Sequence, residues 1–485
     1  MKIKDLIFPD EYIFSEVGIE ETVTQIVTEI KNIKEDTLLI IPNSKNLPNE
    51  ISLDTLPIAV ICDVYATLPE EFPKIVVENP RLALANAVFR FEQIDLSKMK
   101  LIAVTGTNGK TTTATFIKKM LDSEGYKSGF IGTGKIEIGD LNITPENYSM
   151  TTPDPTMLYK TLKKMQENGC NAVVMEISSH ALALGKVAPL IFDYAVFTNL
   201  STEHMDFHNN IEQYYQEKNK LFSKTKTAVF NIDDSYAKRA YHECKVRKIS
   251  VGVIENAEIK ATDIENNGLP GVNYIYRWKK HHFRMKINIP GIFNVYNTLL
   301  AAAVCIDLGC RACIIKKAVE ALSSIEGRYE IINDEITVII DYAHTEYAYY
   351  NIMKELSKIK GKGSLSVIFG CGGERDKAKR PRIAAIIENF ADKIIVTTDN
   401  SRAENPIEII NDIIRGFKVK KYEICEDRAA AITRSILSAN VGDIVAIIGK
   451  GAEKYNIDKD GYHYFNEKEI VKAALALRKR ERICE

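Results

Sequence analysis

The sequence lacks several features that would assign a function class at once. Its 64 basic and 65 acidic side chains leave a formal net charge of −1, so no excess of positive charge indicates a nucleic-acid partner. No uninterrupted apolar run approaches the roughly 18 residues of a membrane span. The first residues are broken by charges and by Pro9, which is not the pattern of a signal peptide. We therefore expect neither nucleic-acid nor membrane partners.

Cysteine and glycine are also sparse. Nine cysteines, an odd number, are scattered along 485 residues, which is typical of a reducing, cytoplasmic compartment rather than of a disulfide framework. The one CxxC pair, Cys310 and Cys313, has no second ligand pair for a zinc site, and we interpret both as buried structural thiols. Only 26 residues are glycine, so any function that depends on glycine loops must use a few well-placed ones.

Length and patterning predict an α/β protein of several domains. A chain of 485 residues exceeds the roughly 250–300 residues that one core supports. Helical patterns such as Thr111–Ser123, which stops at Gly125, alternate with short apolar runs and indicate helices on both faces of a sheet. Seven runs are continuous rather than alternating, as in buried parallel strands; they are Leu101–Val104, Ala172–Met175, Tyr194–Phe197, Val338–Ile340, Val367–Phe369, Ile394–Val396 and Ile444–Ile448.

Polar residues follow every one of these runs. The segments, in order, are TGTNGKTT, EISSH, TNLSTEH, DYAH, GCGGERDK, TTDNSR and GKGAE. Ligands of open parallel sheets bind beyond the carboxyl ends of the strands. Any one segment is explained by ordinary turn residues, but the set predicts binding sites along these edges.

The first segment predicts a phosphate-binding loop. It follows a strand and opens a helix, so backbone N–H groups and the helix N-terminus face an anion there. Lys110 can reach the β- and γ-phosphates of ATP, and the Thr111 hydroxyl stands where a Mg²⁺ ligand is expected. Val104 replaces the first glycine of the usual pattern, so this is a variant loop. The predicted ATP-binding residues of the loop are Gly106, Thr107, Asn108, Gly109, Lys110, Thr111 and Thr112.

The motifs, taken in order, resemble those of the Mur ligases, specifically the MurE-type muramyl-tripeptide synthetases. The resemblance covers about residues 100–470 and runs from TGTNGKTT through SMTTPDP, MEISSHAL, FTNLSTEHMDFH, YYQEKNKLF, NIDD, GIFNVYN, GRYE, DYAHT, GCGGERDKAKRP and DNSR to GKGAE. It implies an ADP-forming amide ligase that adds meso-diaminopimelate, or another diamino acid, to UDP-N-acetylmuramoyl-L-Ala-D-Glu through an acyl phosphate. We expect a monomer with small-molecule substrates.

The same resemblance implies three domains. Residues 1–98 would form a small α/β domain for the nucleotide-sugar acid, and residues 99–326 a central P-loop ATPase-like domain with a parallel sheet. Residues 327–485 would form a Rossmann-like domain for the amino acid.

The resemblance also implies roles for single residues. Lys110, Glu176, His204 and Lys218 would be catalytic, and Lys218 would carry a carbamate derived from CO₂. Thr111, Glu176, His204 and this carbamate would hold two Mg²⁺ ions. From the residues alone, His204 could instead be a buried structural histidine and Lys218 a solvated helix lysine.

Three further groups of residues follow from the resemblance. Added ATP contacts are Asn294, Asn297, Arg328, Asp341 and His344. Acid-substrate contacts are Thr151, Thr152, Ser178, Ser179 and Lys186. Amino-acid contacts are Arg375, Asp399, Asn400, Arg402, Gly449 and Glu453. Arg402 favours meso-diaminopimelate over lysine, because a guanidinium binds a carboxylate in two places.

The sequence departs from the family pattern at both substrate ends. The DSR stretch expected near the start is missing, Lys186 replaces an arginine, and Ala452 replaces the histidine of GKGHE. Glu346 and Tyr347 replace Pro and Asp after DYAHT. An alternative is therefore a paralogue that joins an amino acid to a different, non-muramoyl carboxylate. In a third hypothesis, the chain is a P-loop switch that only hydrolyses ATP. Such a protein would not need a second metal site.

Overall fold

The computed structural model describes residues 1–44, 55–146, 148–203, 205, 207–419 and 421–484. Strands, numbered in chain order, are β1 (Phe14–Ser15), β2 (Gln25–Val27), β3 (Thr37–Ile40), β4 (Ala59–Cys62), β5 (Lys74–Val76), β6 (Lys100–Thr105), β7 (Ser128–Gly132), β8 (Lys135–Ile138), β9 (Leu141–Asn142), β10 (Ala172–Glu176), β11 (Phe192–Phe197), β12 (Thr225–Asn231), β13 (Arg247–Gly252), β14 (Ile259–Asn266), β15 (Val272–Trp278), β16 (His281–Ile287), β17 (Glu330–Asn333), β18 (Thr337–Asp341), β19 (Leu365–Phe369), β20 (Lys393–Val396), β21 (Glu423–Ile424), β22 (Ile444–Ile448), β23 (Tyr455–Asp458) and β24 (Gly461–Tyr464).

The helices alternate with these strands. They are α1 (Ile3–Leu6), α2 (Pro80–Phe91), α3 (Lys110–Glu124), α4 (Pro155–Glu167), α5 (Ser179–Ala183), α6 (Ile211–Asn219), α7 (Ser235–Glu243), α8 (Phe293–Asp307), α9 (Ala312–Ala321), α10 (Glu346–Ile359), α11 (Lys379–Phe390), α12 (Pro406–Ile414), α13 (Arg428–Ser438) and α14 (Glu467–Cys484). Among the described residues, no helix is long and apolar enough to cross a membrane.

The strands form three main sheets in succession along the chain. The first has the order β1-β5-β4-β3-β2 and is parallel except for β1. The second has the order β16-β15-β14-β13-β12-β11-β6-β10-β7-β8-β9, with antiparallel hairpins at both edges of a parallel centre. The third has the order β17-β18-β22-β19-β20-β21. The predicted cuts at 98/99 and 326/327 lie between these sheets.

All seven apolar runs lie in parallel strands, as predicted. The central sheet pairs β11, β6 and β10 side by side, with Phe197 opposite Thr105 and Glu176 opposite Val104. The third sheet pairs β18, β22, β19 and β20 in the same way. Because all these strands are parallel, the polar segments that follow neighbouring strands lie at one edge of each sheet.

Helices cover both faces of the central and third sheets, as the alternation predicted. One face of the central sheet packs against α3, α8 and α9 in an apolar core. The other packs against α4, α6 and α7, and this core continues into the first domain. Two cores flank the third sheet, with α10 to α12 on one side and α13 and α14 on the other.

Local signals explain some helix boundaries. The helix α3 ends where Gly125 adopts a left-handed φ of 107°, at the predicted stop. The CxxC interpretation is half wrong. Cys310 is buried, but Cys313 is exposed, because it lies in the first turn of α9, away from the face that packs on the core.

Candidate active site

The phosphate loop connects β6 to α3 at the centre of the parallel sheet. Gly106 has a φ of 144° and Gly109 a φ of 84°, which a side chain would strain. A Cβ on Gly106 would also lie 1.9 Å from Thr198 Oγ1 and 2.9 Å from the carbonyl oxygen of Asn199. The loop is therefore packed closely against the segment after β11. A side chain at either glycine would require the loop to move.

Lys110 is folded onto the loop that it follows. Its Nζ donates to the carbonyl oxygens of Gly106 at 3.0 Å and of Thr107 at 2.7 Å. Burial lowers the pKa of Lys110 below its ordinary value, while Glu203 and Glu176 act to raise it. Among the described residues, the buried amide nitrogen Nδ2 of Asn108 has no hydrogen-bond partner. A lysine, an unpaired amide donor and a helix N-terminus together fit an anionic phosphate group.

Lys218 donates a hydrogen bond to the same carbonyl oxygen as Lys110. Its Nζ donates to Gly106 O at 3.0 Å and lies 4.7 Å from the centre of the Tyr214 ring. The residue is only 1% exposed, so the solvated-lysine alternative is wrong. Burial, and then the charge of Lys110, lower the pKa of Lys218 well below its ordinary value, against the opposite effect of Glu203. This environment therefore disfavours the charged form of the amine.

Glu176 ends β10 beside the loop and is fully buried. Thr133 holds both carboxylate oxygens, through its N–H at 3.1 Å and its hydroxyl at 3.0 Å. Thr111 and Thr112 lie in the first turn of α3, where Thr111 offers a hydroxyl oxygen. Oxygen donors of this kind fit Mg²⁺, which takes its remaining ligands from water and phosphate. Over the described part of the chain, no cluster of three or more His, Cys, Asp or Glu could hold a metal; His204 lies outside that part.

The third domain reaches the loop through Arg328. Its Nη2 donates to Thr111 Oγ1 at 3.0 Å, and its guanidinium lies 4.2 Å from the centre of the Tyr342 ring. Thr345 Oγ1 lies 3.3 Å from Asn108 Oδ1. These contacts bring Arg328, before β17, against Thr111 and bring the segment after β18 against the phosphate loop; the role of Arg328 toward ATP stays a prediction.

The other two predicted ATP residues of this domain are buried or paired. Asp341 accepts from the N–H groups of Tyr329 and Ala343, both at 2.6 Å, and burial raises its pKa. His344 Nε2 contacts the Glu203 carboxylate across the interface. Beside this pair is a cavity of about 50 Å³, lined by Thr202, Glu203, His344, Thr345, Glu346, Arg375, Asp376 and Lys379.

Asn294 and Asn297 lie at the start of α8, behind the loop. Both are buried, and Asn297 Nδ2 donates to Asn294 Oδ1 at 3.0 Å. Asn297 Oδ1 accepts from Thr113 at 3.2 Å and would lie 2.5 Å from a Cβ on Gly109. The pair therefore supports the phosphate loop directly.

The predicted acid-substrate residues form a second group around Glu176. Thr152 Oγ1 donates to the Glu176 carbonyl at 2.9 Å and accepts from the Ser178 N–H at 3.1 Å. Thr151 Oγ1 lies 3.0 Å from Thr133 Oγ1, and Ser179 Oγ lies 3.0 Å from His208 Nε2. Lys186 is paired with Asp154 at 2.6 Å, so the residue that replaces the expected arginine already holds a carboxylate.

The predicted amino-acid residues gather at the ends of β20 and β22. Asn400 Nδ2 donates to Glu453 Oε2 at 2.8 Å. Arg402, at a strained φ of 52°, donates to the carbonyls of Gly373 at 2.7 Å and Asn400 at 3.3 Å. A Cβ on Gly449 would lie 2.8 Å from Asp399 Oδ2. Arg375 lines the cavity beside His344 and also lies near Arg402, because a Cβ on Gly372 would lie 3.1 Å from Arg402 Nη1 and 3.9 Å from Arg375 Cγ.

Several residues of the site escaped sequence reasoning. Glu203 contacts His344 and influences the pKa values of both loop lysines. Lys450 is buried among the amino-acid residues. Burial raises the pKa of Tyr455, while Ser149 of the SMTTPDP segment acts to lower it, so the third domain approaches the acid-substrate group there. The one sequence signal that could have identified these three residues was their position within or next to the quoted motifs.

Comparison with known proteins gives a consistent result. Residues 104–305 match the Mur ligase middle domain, and residues 327–451 match the Mur ligase, glutamate ligase domain. UDP-N-acetylmuramoyl-L-alanyl-D-glutamate–2,6-diaminopimelate ligase 1 of Clostridium acetobutylicum is 40% identical over 84% of this chain and 85% of its own. The corresponding ligase of Clostridium tetani is 34% identical over 97% and 99%. A solved structure of a ligase with this name superposes with a TM-score of 0.67 at 26% identity, covering 99% of both chains.

Proposed function

The chain belongs to the Mur ligase family, whose members depend on ATP and Mg²⁺, and from that premise we propose that it adds 2,6-diaminopimelate to UDP-N-acetylmuramoyl-L-alanyl-D-glutamate. The reaction would be an ADP-forming amide ligation by a cytoplasmic monomer. The odd number of scattered cysteines supports the reducing compartment.

The first step activates the acid. A carboxylate oxygen of the acid attacks the γ-phosphorus of ATP, ADP leaves, and an acyl phosphate forms. Lys110 and the amides at the start of α3 hold the phosphates, and Arg328 adds a positive charge from the third domain. Such a transfer requires positioning and charge neutralisation more than covalent help.

Thr111 and Glu176 would hold a Mg²⁺ ion, which would supply positive charge to offset the charge of the phosphates during transfer. A second ion would use His204 and a carbamate on Lys218. The carbamate forms when the neutral Nζ attacks CO₂ and loses one proton. The lowered pKa of Lys218 supports this modification, because only the neutral amine has the electron pair for it.

The second step forms the amide bond. The amine of the incoming amino acid attacks the acyl carbonyl, phosphate leaves, and the nitrogen loses a proton. Arg402 would bind the distal carboxylate of diaminopimelate with its two N–H donors, and Asn400, Glu453, Asp399 and Gly449 would surround the rest of that end.

The observation that carries the proposal is the position of Lys218. A protein that only hydrolyses ATP as a switch does not need a second buried lysine. The Nζ of Lys218 donates to the same carbonyl oxygen as the Nζ of Lys110. A carbamylated Lys218 instead supplies an anionic oxygen next to the phosphates, where a ligase must hold a second ion.

A second candidate is a ligase that acts on a different carboxylate. The pairing of Lys186 with Asp154 at 2.6 Å supports it, since the expected arginine fork for an anionic substrate is lost. The chemistry would be the same, and only the acid would change.

The test is a product assay with purified protein, ATP, Mg²⁺, the UDP-muramoyl dipeptide and a panel of amino acids. We expect one new product, with the mass of the diaminopimelate conjugate, and one ADP for each product. Lys110→Met should form none. Product with another acid alone would establish the second candidate, and phosphate release that needs neither acid nor amino acid would establish an ATPase switch.

A further inference from the structure

Lys450 is an ammonium group sealed inside the amino-acid pocket. The residue is 0% exposed. Its Nζ donates to Asn400 Oδ1 at 2.8 Å and lies 3.4 Å from Glu453 Oε2 and 3.8 Å from Asp399 Oδ1. The rings of Tyr455 and Phe465 lie 5.7 and 5.8 Å away. All three polar neighbours are therefore residues to which we assign amino-acid binding.

This contact determines which way the Asn400 amide points. Asn400 Oδ1 accepts from Lys450 Nζ and also from the N–H of Ile457 at 3.0 Å. Both groups are donors, so a flipped amide would place its NH₂ against two donors. The observed orientation directs Nδ2 to Glu453 Oε2 at 2.8 Å. Lys450 thus fixes Glu453 through Asn400 as well as directly.

The charge of Lys450 also balances the pocket. Burial opposes the ionisation of Asp399, but Lys450, Arg428, the N–H of Asn400 and Arg402 together hold the pKa of Asp399 below its ordinary value. Removal of one partner from a buried charge pair leaves the other uncompensated. Without Lys450, Asp399 and Glu453 would repel each other, and the pocket would lose its arrangement.

We propose that Lys450 is a positioning residue for the amino-acid substrate. It does not touch the substrate; it holds the Asn400 amide and the Glu453 carboxylate in the orientation that binds it. This inference rests on the proposed function, because it takes Asn400 and Glu453 as amino-acid ligands.

The kinetic test compares Lys450→Met with Arg478→Met. Arg478 is a second buried cation of this domain, but it donates to the carbonyls of Ile436 and Leu437 at the far end of α13. We expect Lys450→Met to raise the KM for diaminopimelate about tenfold or more, with the KM for ATP unchanged within about twofold. Arg478→Met should leave both unchanged. Equal rises in both KM values for Lys450→Met would overturn the proposal.

A double-mutant cycle tests the route through Asn400. We expect Asn400→Leu to weaken diaminopimelate binding strongly in the wild type and only slightly in Lys450→Met, because the amide is already misplaced there. Additive effects of the two substitutions would contradict a shared role.

A third readout does not depend on ligation. In protein labelled with ¹⁵N at asparagine, the Asn400 side-chain NH₂ signals are assigned by their loss in Asn400→Leu. Lys450→Met should shift or broaden them, and Arg478→Met should not. Unchanged signals overturn the inference even if the enzyme is active. Shifted signals in a protein that forms no product support the positioning contact while the proposed function fails.

Discussion

The phosphate loop and the amino-acid pocket differ in the groups that their buried basic side chains contact. In the phosphate loop, Lys110 and Lys218 both donate to the carbonyl oxygen of Gly106. In the amino-acid pocket, Arg428 is paired with Glu467 at 2.6 Å, and Lys450 lies 3.4 Å from Glu453. The first pair is bonded to neutral oxygen, and the second is neutralised by carboxylates.

We interpret this difference as one between basic side chains that are available to a ligand or a modification and basic side chains that maintain the shape of a site. A carbonyl oxygen offsets less of an ammonium charge than a carboxylate does, so the loop keeps its attraction for phosphate. Arg402 lies in the amino-acid pocket but resembles the lysines at the phosphate loop, because it donates to carbonyl oxygens, those of Gly373 and Asn400. At these two sites we therefore expect substitutions of the carbonyl-bonded basic residues to affect ligand binding and substitutions of the carboxylate-paired ones to affect geometry.

The largest effect is expected at Lys218. Lys218→Ala should lower the rate of product formation at least about a hundredfold, because the loop loses a group next to the transferred phosphate. Acetate or formate should restore part of the rate by replacing the carbamate oxygen. The measurement is the initial rate of ADP formation with all three substrates.

The matched control is Lys220→Ala. Lys220 lies two residues further along and is paired with Glu217 at the surface, at 2.7 Å. Its substitution should leave the rate unchanged. Loss of activity in Lys218→Ala without any rescue by short carboxylates would argue against the carbamate.

Substitution of Arg402 should have the next largest effect, and it tests the comparison inside the amino-acid pocket. Arg402→Met removes two charge-assisted donors, so we expect the KM for diaminopimelate to rise about a hundredfold. The KM for ATP should stay unchanged. Arg415→Met, a surface arginine paired with Asp412 at 2.9 Å, serves as the control. An equal loss of affinity for L-lysine and diaminopimelate would contradict recognition of the distal carboxylate.

Arg328 tests whether the two regions are joined. It donates to Thr111 Oγ1 across the domain interface at 3.0 Å. Arg328→Met should raise the KM for ATP about tenfold and change the KM for diaminopimelate much less. A normal KM for ATP would show that the third domain does not help to hold the nucleotide.

The smallest effect concerns pH and Asp399. The pKa of Asp399 is lower in the folded protein than its ordinary value, so its ionisation stabilises the fold above about pH 4. As pH falls through the lower folded pKa, this stabilisation is lost. The difference in thermal midpoint between wild type and Asp399→Asn should therefore shrink below about pH 4. A difference that stays constant from pH 7 to pH 3 would exclude the charge balance.

Local sequence patterns predicted the parts of the molecule that depend on neighbouring residues. The seven apolar runs lie in parallel strands because continuous apolar side chains require burial on both faces. The loop before α3 was readable because glycine, lysine and threonine occupy fixed offsets between a strand and a helix. Arg328 was expected to reach from the third domain, and it contacts Thr111.

Contacts between distant segments could not be read in this way. Arg428 is a charged residue at the start of α13, yet it is fully buried against Glu467, 39 residues later. The contact of Glu203 with His344 joins two domains, and no local pattern pairs them. The Asn400 orientation depends on Ile457, a residue that only the β23–β24 hairpin brings close.

The central claim is that ATP activates the carboxylate of an acid substrate. The most direct measurement uses an acid labelled with ¹⁸O in its carboxylate, together with ATP, Mg²⁺ and diaminopimelate, and follows the label by mass spectrometry of the released phosphate. We predict that one ¹⁸O passes from the acid to each phosphate formed, because the carboxylate oxygen attacks the γ-phosphorus. Phosphate that takes its new oxygen only from water would contradict the account.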